Sequence, residues 1–242
     1  MLRLIYVILV SLPLVIFYVI LSRHVVKHID KYSEIQRYDL VRKMINIMKR
    51  NGRIITEVFG KDNLPQDGGY VMYSNHQGKY DALGIIYAHD KPCTFVIDEK
   101  RSSIPFAKEI SDLLQASRLD KTDPRKQLKT ISDIVEKVSS GKRVLIFPEG
   151  GYDNNKNNVM EFLSGAFRCS IKSRTPIIPV AIKDSYKVFG VNSLKKVRTE
   201  VHFLKPLYYE EYEKLSSSQI AKLVQSRITA VLNVQPDAEP GM

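Results

Sequence analysis

The chain has 242 residues and a formal net charge of +11, with 37 Lys and Arg against 26 Asp and Glu. Its 44% hydrophobic and 26% charged residues exclude a disordered chain, a collagen-like chain and a multi-spanning membrane protein. Two cysteines, Cys93 and Cys169, exclude a disulfide scaffold and a cysteine-based zinc site, and we expect both to be reduced core residues. The positive charge favours a polyanion or an anionic membrane as partner.

The N-terminal segment 4–21 contains no charged residue, and its length is at the lower limit of the roughly 17–25 apolar residues of a spanning helix. More than half of the net charge lies in the first 60 residues, mostly C-terminal to this segment. This bias predicts an N-terminal membrane helix with the rest of the chain on the cytoplasmic side of the cell membrane. Pro13 leaves open whether the segment spans the bilayer or enters one leaflet and returns. No small-residue cleavage pattern follows, so we do not expect a cleaved signal peptide.

The next segment, 34–50, has the pattern of a basic amphipathic helix. Tyr38, Val41 and Ile45 fall on one face, and Arg37, Lys43 and other basic residues fall mostly elsewhere. Such a helix suits the surface of an anionic bilayer, and it equally suits packing on its own domain with a solvated basic face. The chain has no nucleic-acid recognition motif, so we expect no nucleic-acid partner.

From residue 51 onward the apolar pattern alternates between strand and helix. Alternation on this scale predicts an α/β fold, with a central mixed sheet flanked by helices and preceded by the apolar membrane helix and the amphipathic helix. We therefore divide the chain into N-terminal membrane-anchoring helices (1–50), an α/β domain (51–235) and a flexible tail (236–242). The predicted strands are 52–59, 69–74, 93–98, 143–147, 176–183 and 198–204, and the predicted helices are 80–88, 104–115, 124–139, 164–173 and 216–233.

A histidine and an aspartate follow the strand 69–74. His76 and Asp81 are five residues apart, which lets a turn bring the carboxylate onto the imidazole. A neutral imidazole near pH 7 accepts a proton from a hydroxyl, and a carboxylate on its other nitrogen fixes its tautomer. By itself this spacing is also explained by a surface turn with an aspartate at a helix N-terminus.

Three other features point to a ligand site. A carboxylate and two glycines end the strand 143–147, where the backbone can approach a ligand closely. Arg118 is predicted just after a short strand, where it could bind a phosphate. An apolar strand with two prolines suits a sheet edge or a wall beside an acyl chain. The residues concerned are Phe147, Pro148, Glu149, Gly150 and Gly151 in the first feature, and Pro176, Ile177, Ile178 and Pro179 in the third.

Together these blocks resemble the glycerolipid acyltransferases of the 1-acyl-glycerol-3-phosphate acyltransferase (PlsC-type) family. The Asn-His-x-x-x-x-Asp block at 75–81, Arg118, the Phe-Pro-Glu-Gly block at 147–150 and Pro-Ile-Ile-Pro-Val at 176–180 occur in the family's order. The resemblance covers roughly residues 53–205.

The resemblance implies acyl transfer from a thioester, acyl-CoA or acyl-ACP, to the free hydroxyl of a lysophospholipid, with phosphatidic acid as product. His76 would be the general base and Asp81 would orient it. Glu149, Gly150 and Arg118 would bind the acceptor's glycerol phosphate, and Asn75 would shape the His76 loop. No acyl-enzyme, metal ion or other cofactor is implied.

The chain departs from the family pattern at two cations. The family often reads Phe-Pro-Glu-Gly-Thr-Arg-Ser, whereas Gly151, Tyr152 and Asp153 stand at the last three positions here. Leu163 replaces a second common cation. These departures leave open a different lysophospholipid acceptor. Basic residues that could compensate are Arg125, Lys126, Lys156, Arg168 and Lys172.

Two other functions compete with acyl transfer. A non-catalytic lipid-binding protein on the same fold is one, and the intact His76 and Asp81 argue against it. A thioester hydrolase is the other, but the chain has no Gly-x-Ser-x-Gly elbow.

Overall fold

The computed structural model describes residues 2–233, so the predicted tail lies outside the described residues. Seven strands form one sheet in the order β1-β7-β6-β2-β5-β3-β4. The β6–β7 pair is antiparallel and every other neighbouring pair is parallel, which confirms a mixed sheet. The strands are β1 (Ile54–Phe59), β2 (Tyr70–Ser74), β3 (Thr94–Asp98), β4 (Ser117–Leu119), β5 (Arg143–Ile146), β6 (Ile177–Lys183) and β7 (Val197–Phe203).

Helices cover both faces of this sheet, and each face has its own apolar core. The central strand β2 is buried along its whole length, as expected of a parallel strand covered on both sides. The α-helices are α1 (Leu2–Val10), α2 (Leu12–Lys27), α3 (Glu34–Asn51), α4 (Asp81–Ala88), α5 (Ala107–Leu113), α6 (Pro124–Ser139), α7 (Arg168–Ser173), α8 (Tyr186–Gly190), α9 (Tyr209–Tyr212) and α10 (Ser217–Asn233).

The apolar N-terminal segment is not one straight helix. It forms α1 and α2, which meet at Ser11 with a bend of 81°, and Pro13 lies in the first turn of α2, where proline is tolerated. Within residues 2–233 no single helix is both long and apolar enough to cross a bilayer, although this bent pair together has the length and composition to do so. The predicted N-terminal membrane helix is therefore not confirmed as a straight span.

Polar contacts fix the bent pair on the α/β domain. The Arg3 guanidinium donates to the carbonyl oxygens of Val188, at 2.9 Å, and Lys187, at 3.2 Å. At the bend, the Asn51 side chain donates to Ser11 Oγ at 2.6 Å, and further along α2 Arg23 pairs with Glu109 at 3.1 Å. The two helices are thus parts of the folded unit rather than a separate appendage.

The amphipathic helix α3 packs its apolar face on the domain. Tyr38, Val41 and Ile45 are buried in the core formed with β2, β6 and α4. Ser33 begins the helix with a capping box that includes Gln36. Of the two alternatives, packing on its own domain is the one that the structure shows for this face.

The strand with two prolines is not at the edge of the sheet. The sequence left open a sheet edge or a wall beside an acyl chain for this segment, and β6 lies between β7 and β2 in the interior. Ile177 and Ile178 are completely buried, one in the core on each face of the sheet. The edge prediction was wrong because the backbone neighbours of a strand depend on the whole topology and not on its own prolines.

Candidate active site

The site lies at the C-terminal ends of β2 and of its parallel neighbour β5. The His76 loop follows β2, and the Phe-Pro-Glu-Gly turn follows β5, so parallel pairing brings together two segments about seventy residues apart. The proximity of these two blocks is thus a direct consequence of the sheet topology.

His76 and Asp81 form a hydrogen-bonded pair. His76 Nδ1 lies 2.6 Å from Asp81 Oδ2, and the aspartate is 1% exposed. Because an ionised carboxylate only accepts hydrogen bonds, Nδ1 carries the proton and Nε2 keeps a free lone pair. The imidazole lines the cavity described below, while its side chain is 16% exposed. His76 is thus set up to accept a proton at Nε2.

Asp81 is held by more than His76. Its Oδ2 accepts from the backbone N–H groups of Gln77, at 2.5 Å, and Gly78, at 2.7 Å, and its Oδ1 accepts from Ser185 Oγ at 2.6 Å. Asp81 is also the first residue of α4, where a carboxylate interacts favourably with the helix dipole. This hydrogen-bond network satisfies both oxygens and fixes the carboxylate next to Nδ1 of the imidazole.

Aromatic rings hold the imidazole in place. Phe147 stacks on His76 with ring centroids 4.3 Å apart and planes 22° apart. Tyr152 meets His76 edge-on with centroids 4.6 Å apart. The ring therefore has little freedom to turn away from Asp81.

The side chain of Glu149 contacts the backbone of the His76 loop. Its Oε1 accepts from the His76 N–H at 3.1 Å, and Asn155 Nδ2 donates to the His76 carbonyl at 2.9 Å. Glu149 is 7% exposed and does not line the cavity, and burial raises its pKa to about 7. In this structure the Glu149 carboxylate therefore supports the His76 loop.

Gly150 and Gly151 follow Glu149 at the cavity wall. Gly150 has φ +70°, in the left-handed region that glycine adopts without strain, and a Cβ there would lie 3.0 Å from Leu163. A Cβ at Gly151 would meet no atom within 4 Å, so this residue faces open space. Phe147 and Pro148 also line the cavity.

A large apolar cavity of about 1180 Å³ reaches His76. The N-terminal helices form part of its wall through Leu4, Val7, Leu14 and Tyr18, and α6 closes it on another side. The basic residues that line it are Lys79, Arg101, Lys121 and Arg168. An apolar chamber of this size with cations near a histidine fits a ligand with a hydrocarbon chain and an anionic group.

Asn75, which was expected to shape the His76 loop, does not line the cavity, and neither do Arg118 or the predicted acyl-chain wall. Asn75 is fully buried, and its side-chain amide exchanges hydrogen bonds with the backbone of Ile182 at 2.9 and 3.0 Å. Arg118 lies within β4 rather than after it, pairs with Asp112, donates to Ser102 Oγ at 3.1 Å and does not line the cavity. The predicted acyl-chain wall, Pro176, Ile177, Ile178 and Pro179, is likewise absent from the cavity lining.

Sequence reasoning missed several cavity residues. Lys121 follows β4, at the same edge of the sheet as His76; its Nζ donates to the Gly150 carbonyl at 2.5 Å and pairs with Asp98 at 3.3 Å. Its place just after a strand was a usable signal. Arg101 had no such signal, because it belongs to no recognised block. Tyr152 was noted only as a departure from the family block, without a role at the site. The two cysteines are buried and free, and burial raises the pKa of Cys93 to about 12, as expected of core thiols.

The chain is similar in sequence to named acyltransferases. The chain is 25% identical over 200 residues to a 1-acyl-sn-glycerol-3-phosphate acyltransferase of Saccharomyces cerevisiae, covering 79% of this chain and 64% of that protein. It is 27% identical over 172 residues to the protein of the same name from Borreliella burgdorferi, covering 68% of each. The chain thus spans about two thirds of the length of these relatives.

A solved structure shows the same fold. The crystal structure of the 1-acyl-sn-glycerophosphate (LPA) acyltransferase PlsC from Thermotoga maritima aligns with a TM-score of 0.76 at 17% identity, over 95% of this chain and 93% of that one. The family model described as Acyltransferase matches residues 55–183, which include both the His76 loop and the Phe-Pro-Glu-Gly turn. With more than half of its length matched by that model, the chain belongs to the Acyltransferase family.

Proposed function

We propose that this protein transfers a fatty acyl group from a thioester to the sn-2 hydroxyl of 1-acyl-glycerol-3-phosphate (LPA), giving phosphatidic acid for phospholipid synthesis. The names of its relatives support this acceptor, and family membership supports acyl transfer. The observation that carries the proposal is the hydrogen-bonded pair of His76 and Asp81, with His76 lining an apolar cavity.

The proposed reaction uses a single displacement on the thioester carbonyl. His76 Nε2 takes the proton of the acceptor hydroxyl as the oxygen attacks the carbonyl carbon, and Asp81 stabilises the imidazolium that forms. The resulting tetrahedral oxyanion collapses, the C–S bond breaks, and the imidazolium returns its proton to the thiolate. The acceptor hydroxyl is itself the nucleophile, so this route requires no acyl-enzyme, metal ion or cofactor.

The cavity suits both ends of the acceptor. Its apolar wall suits the acyl chains, and Lys79, Arg101, Lys121 and Arg168 supply positive charge for the phosphate. Arg168 is also one of the basic residues from which sequence reasoning expected compensation for the missing cations.

We further propose that the α1–α2 pair binds the cytoplasmic surface of the cell membrane. Large apolar side chains on these helices are exposed, including Leu9 and Ile20 at 64% and Phe17 at 56%. Exposed apolar surface of this extent is typical of membrane or protein contact. The same helices line the cavity, which would let a lipid enter from the bilayer without crossing water.

The proposal is tested by the His76→Ala variant, assayed by thiol release with LPA as acceptor and both acyl-CoA and acyl-ACP as donors. Loss of a general base is expected to lower kcat by about 10²- to 10⁴-fold. His202→Ala is the matched control, because His202 lies on β7 outside the cavity lining. Transfer retained by His76→Ala would refute the assignment, provided that its melting temperature matches the wild type.

A second acceptor remains a candidate because Tyr152 and Leu163 stand where the family often has cations. A panel of LPA, lysophosphatidylglycerol and lysophosphatidylethanolamine separates the two possibilities. A preference for LPA in kcat/KM supports the proposal, and a preference for another headgroup replaces it. Lipid binding without thiol release from any donor would instead indicate a non-catalytic protein.

A further inference from the structure

Arg101, Tyr152 and His76 lie next to one another at the cavity wall. The Arg101 guanidinium carbon lies 5.0 Å from the centroid of the Tyr152 ring, and that ring meets His76 edge-on at 4.6 Å. All three residues line the same cavity. A cation is therefore held beside the proposed general base by an aromatic ring.

The charge of Arg101 has no carboxylate partner among residues 2–233. Lys121, another cation of this wall, is paired with Asp98 and bonded to the Gly150 carbonyl. Only the backbone N–H of Arg101 is engaged by Asp98, at 3.4 Å. Of these two cations, Arg101 is the one whose charge the protein leaves uncompensated.

The Tyr152 ring also helps to hold the Arg101 side chain at this wall. A cation near an aromatic face is attracted by the ring quadrupole, and the guanidinium carbon lies 5.0 Å from the ring centroid. The N–H donors of a guanidinium lie in its plane and can bind two oxygens of one anion. The arrangement suits bidentate binding of a phosphate at the cavity wall.

We propose that Arg101, positioned by Tyr152, binds the phosphate of the acceptor and thereby sets the preference for phosphate-bearing lysolipids. This inference rests on the proposed function. Four covalent bonds separate the sn-2 hydroxyl oxygen from the phosphorus of LPA, so a hydroxyl at His76 places the phosphate among the neighbours of that histidine. Tyr152 stands where the family often has a cation in the Phe-Pro-Glu-Gly turn. Arg101, in the segment after β3, supplies a cation in its place.

The first test is Arg101→Gln, with kcat and KM measured for LPA and for 1-monoacylglycerol, which carries the same hydroxyl without phosphate. Loss of a charge-assisted contact is expected to lower the kcat/KM preference for LPA by about 10- to 100-fold, chiefly through KM. Lys100→Gln is the matched control, because it removes the same charge one residue away and Lys100 does not line the cavity. An unchanged kcat/KM preference, whether both acceptors lose activity equally or neither does, would overturn the proposal.

The second test concerns Tyr152. Tyr152→Leu removes the aromatic face and is expected to raise KM for LPA, whereas Tyr152→Phe keeps the face and is expected to raise it less. Combining Arg101→Gln with Tyr152→Arg returns a cation to the same wall and is expected to recover part of the preference. If Tyr152→Leu and Tyr152→Phe have equal effects, Tyr152 does not act through its ring.

A binding measurement separates this inference from the proposed function. Detergent-solubilised LPA is titrated into His76→Ala protein with and without Arg101→Gln, so no turnover is needed. A 10- to 100-fold weaker Kd with Arg101→Gln supports phosphate binding even if the wild type transfers no acyl group to LPA. An unchanged Kd overturns the inference even if the wild type is an active LPA acyltransferase.

Discussion

The His76 loop and the α1–α2 pair line the same cavity, but different kinds of interaction stabilise them. The loop is polar and buried, and Asp81 alone accepts four hydrogen bonds. The helix pair is apolar and largely exposed, and only a few polar contacts, such as those of Arg3, join it to the domain. A directional network can hold one imidazole in one orientation, whereas exposed apolar area gives affinity for a bilayer without fixing a geometry.

The largest expected effect comes from Asp81→Asn, which disrupts the polar network of the His76 loop. The amide can still accept from the Gln77 and Gly78 N–H groups, but it no longer stabilises the imidazolium. We expect kcat to fall by about 10²- to 10⁴-fold while KM for the donor changes little. Steady-state thiol release measures this. Asp133→Asn, on α6, is the matched control, and an active Asp81→Asn enzyme would show that the carboxylate is dispensable.

The role of the exposed apolar surface of α2 is tested by the double substitution of Ile16→Lys and Ile20→Lys. These side chains are 52% and 64% exposed, so the folded domain loses little packing. Bilayer burial of an isoleucine stabilises by about 1.5–3 kcal/mol, and we expect the vesicle partition coefficient to fall by roughly 100-fold. Cosedimentation with anionic vesicles measures it. If partitioning is unchanged while Leu9→Lys weakens it, α1 rather than α2 makes the contact.

The junction between the two regions is tested by Arg3→Met. Arg3 is 2% exposed, and its removal leaves the Lys187 and Val188 carbonyls without this donor. We expect the free energy of unfolding to fall by about 3 kcal/mol. Denaturant unfolding measures it, with the exposed Arg50→Met as control. Unchanged stability would mean that α1 is not part of the cooperative unit.

The smallest effect concerns the pH dependence of stability at Glu149. Because burial raises its pKa to about 7 in the folded state, above its value of about 4.3 when unfolded, the folded protein holds the proton more tightly. Its contribution is therefore fully present below about pH 4 and is lost as the pH rises through 7. Glu149→Gln is expected to remove on the order of 2 kcal/mol of that decline. Urea unfolding at pH 4.5 and 8 measures the free energy of unfolding at each pH. An equal change in this free energy between the two pH values in wild type and variant would contradict the prediction.

Much of the fold could be predicted because local patterns report it directly. The apolar stripe of α6 and its start at Pro124 are encoded within one segment, and the structure has that helix at 124–139 as predicted. Short elements were less visible: α8 and α9 have only five and four residues, too few for a period to repeat. The helix predicted at 104–115 begins only at Ala107, after a short 3₁₀ turn at Arg101–Ser103.

The candidate site divides in the same way. His76 and Asp81 are five residues apart, so their pairing could be predicted from the loop alone. Arg118 was expected to bind phosphate because a cation follows a strand, but the ion pair with Asp112 uses that charge. Arg101 lies fifty-one positions before Tyr152 and meets it only because β3 and β5 are neighbours in the sheet.

The α/β class, the pairing of His76 with Asp81 and the concentration of apolar and basic residues near the N-terminus could all be predicted from the sequence. These properties depend on residue type and short spacing, which hydrophobic periodicity and loop length express locally. The bend of the apolar segment at Ser11, the interior position of β6 and the contact between Arg101 and Tyr152 are visible only in the folded chain. Each of those depends on which distant backbone lies alongside, and that choice is made by the packing of the whole chain.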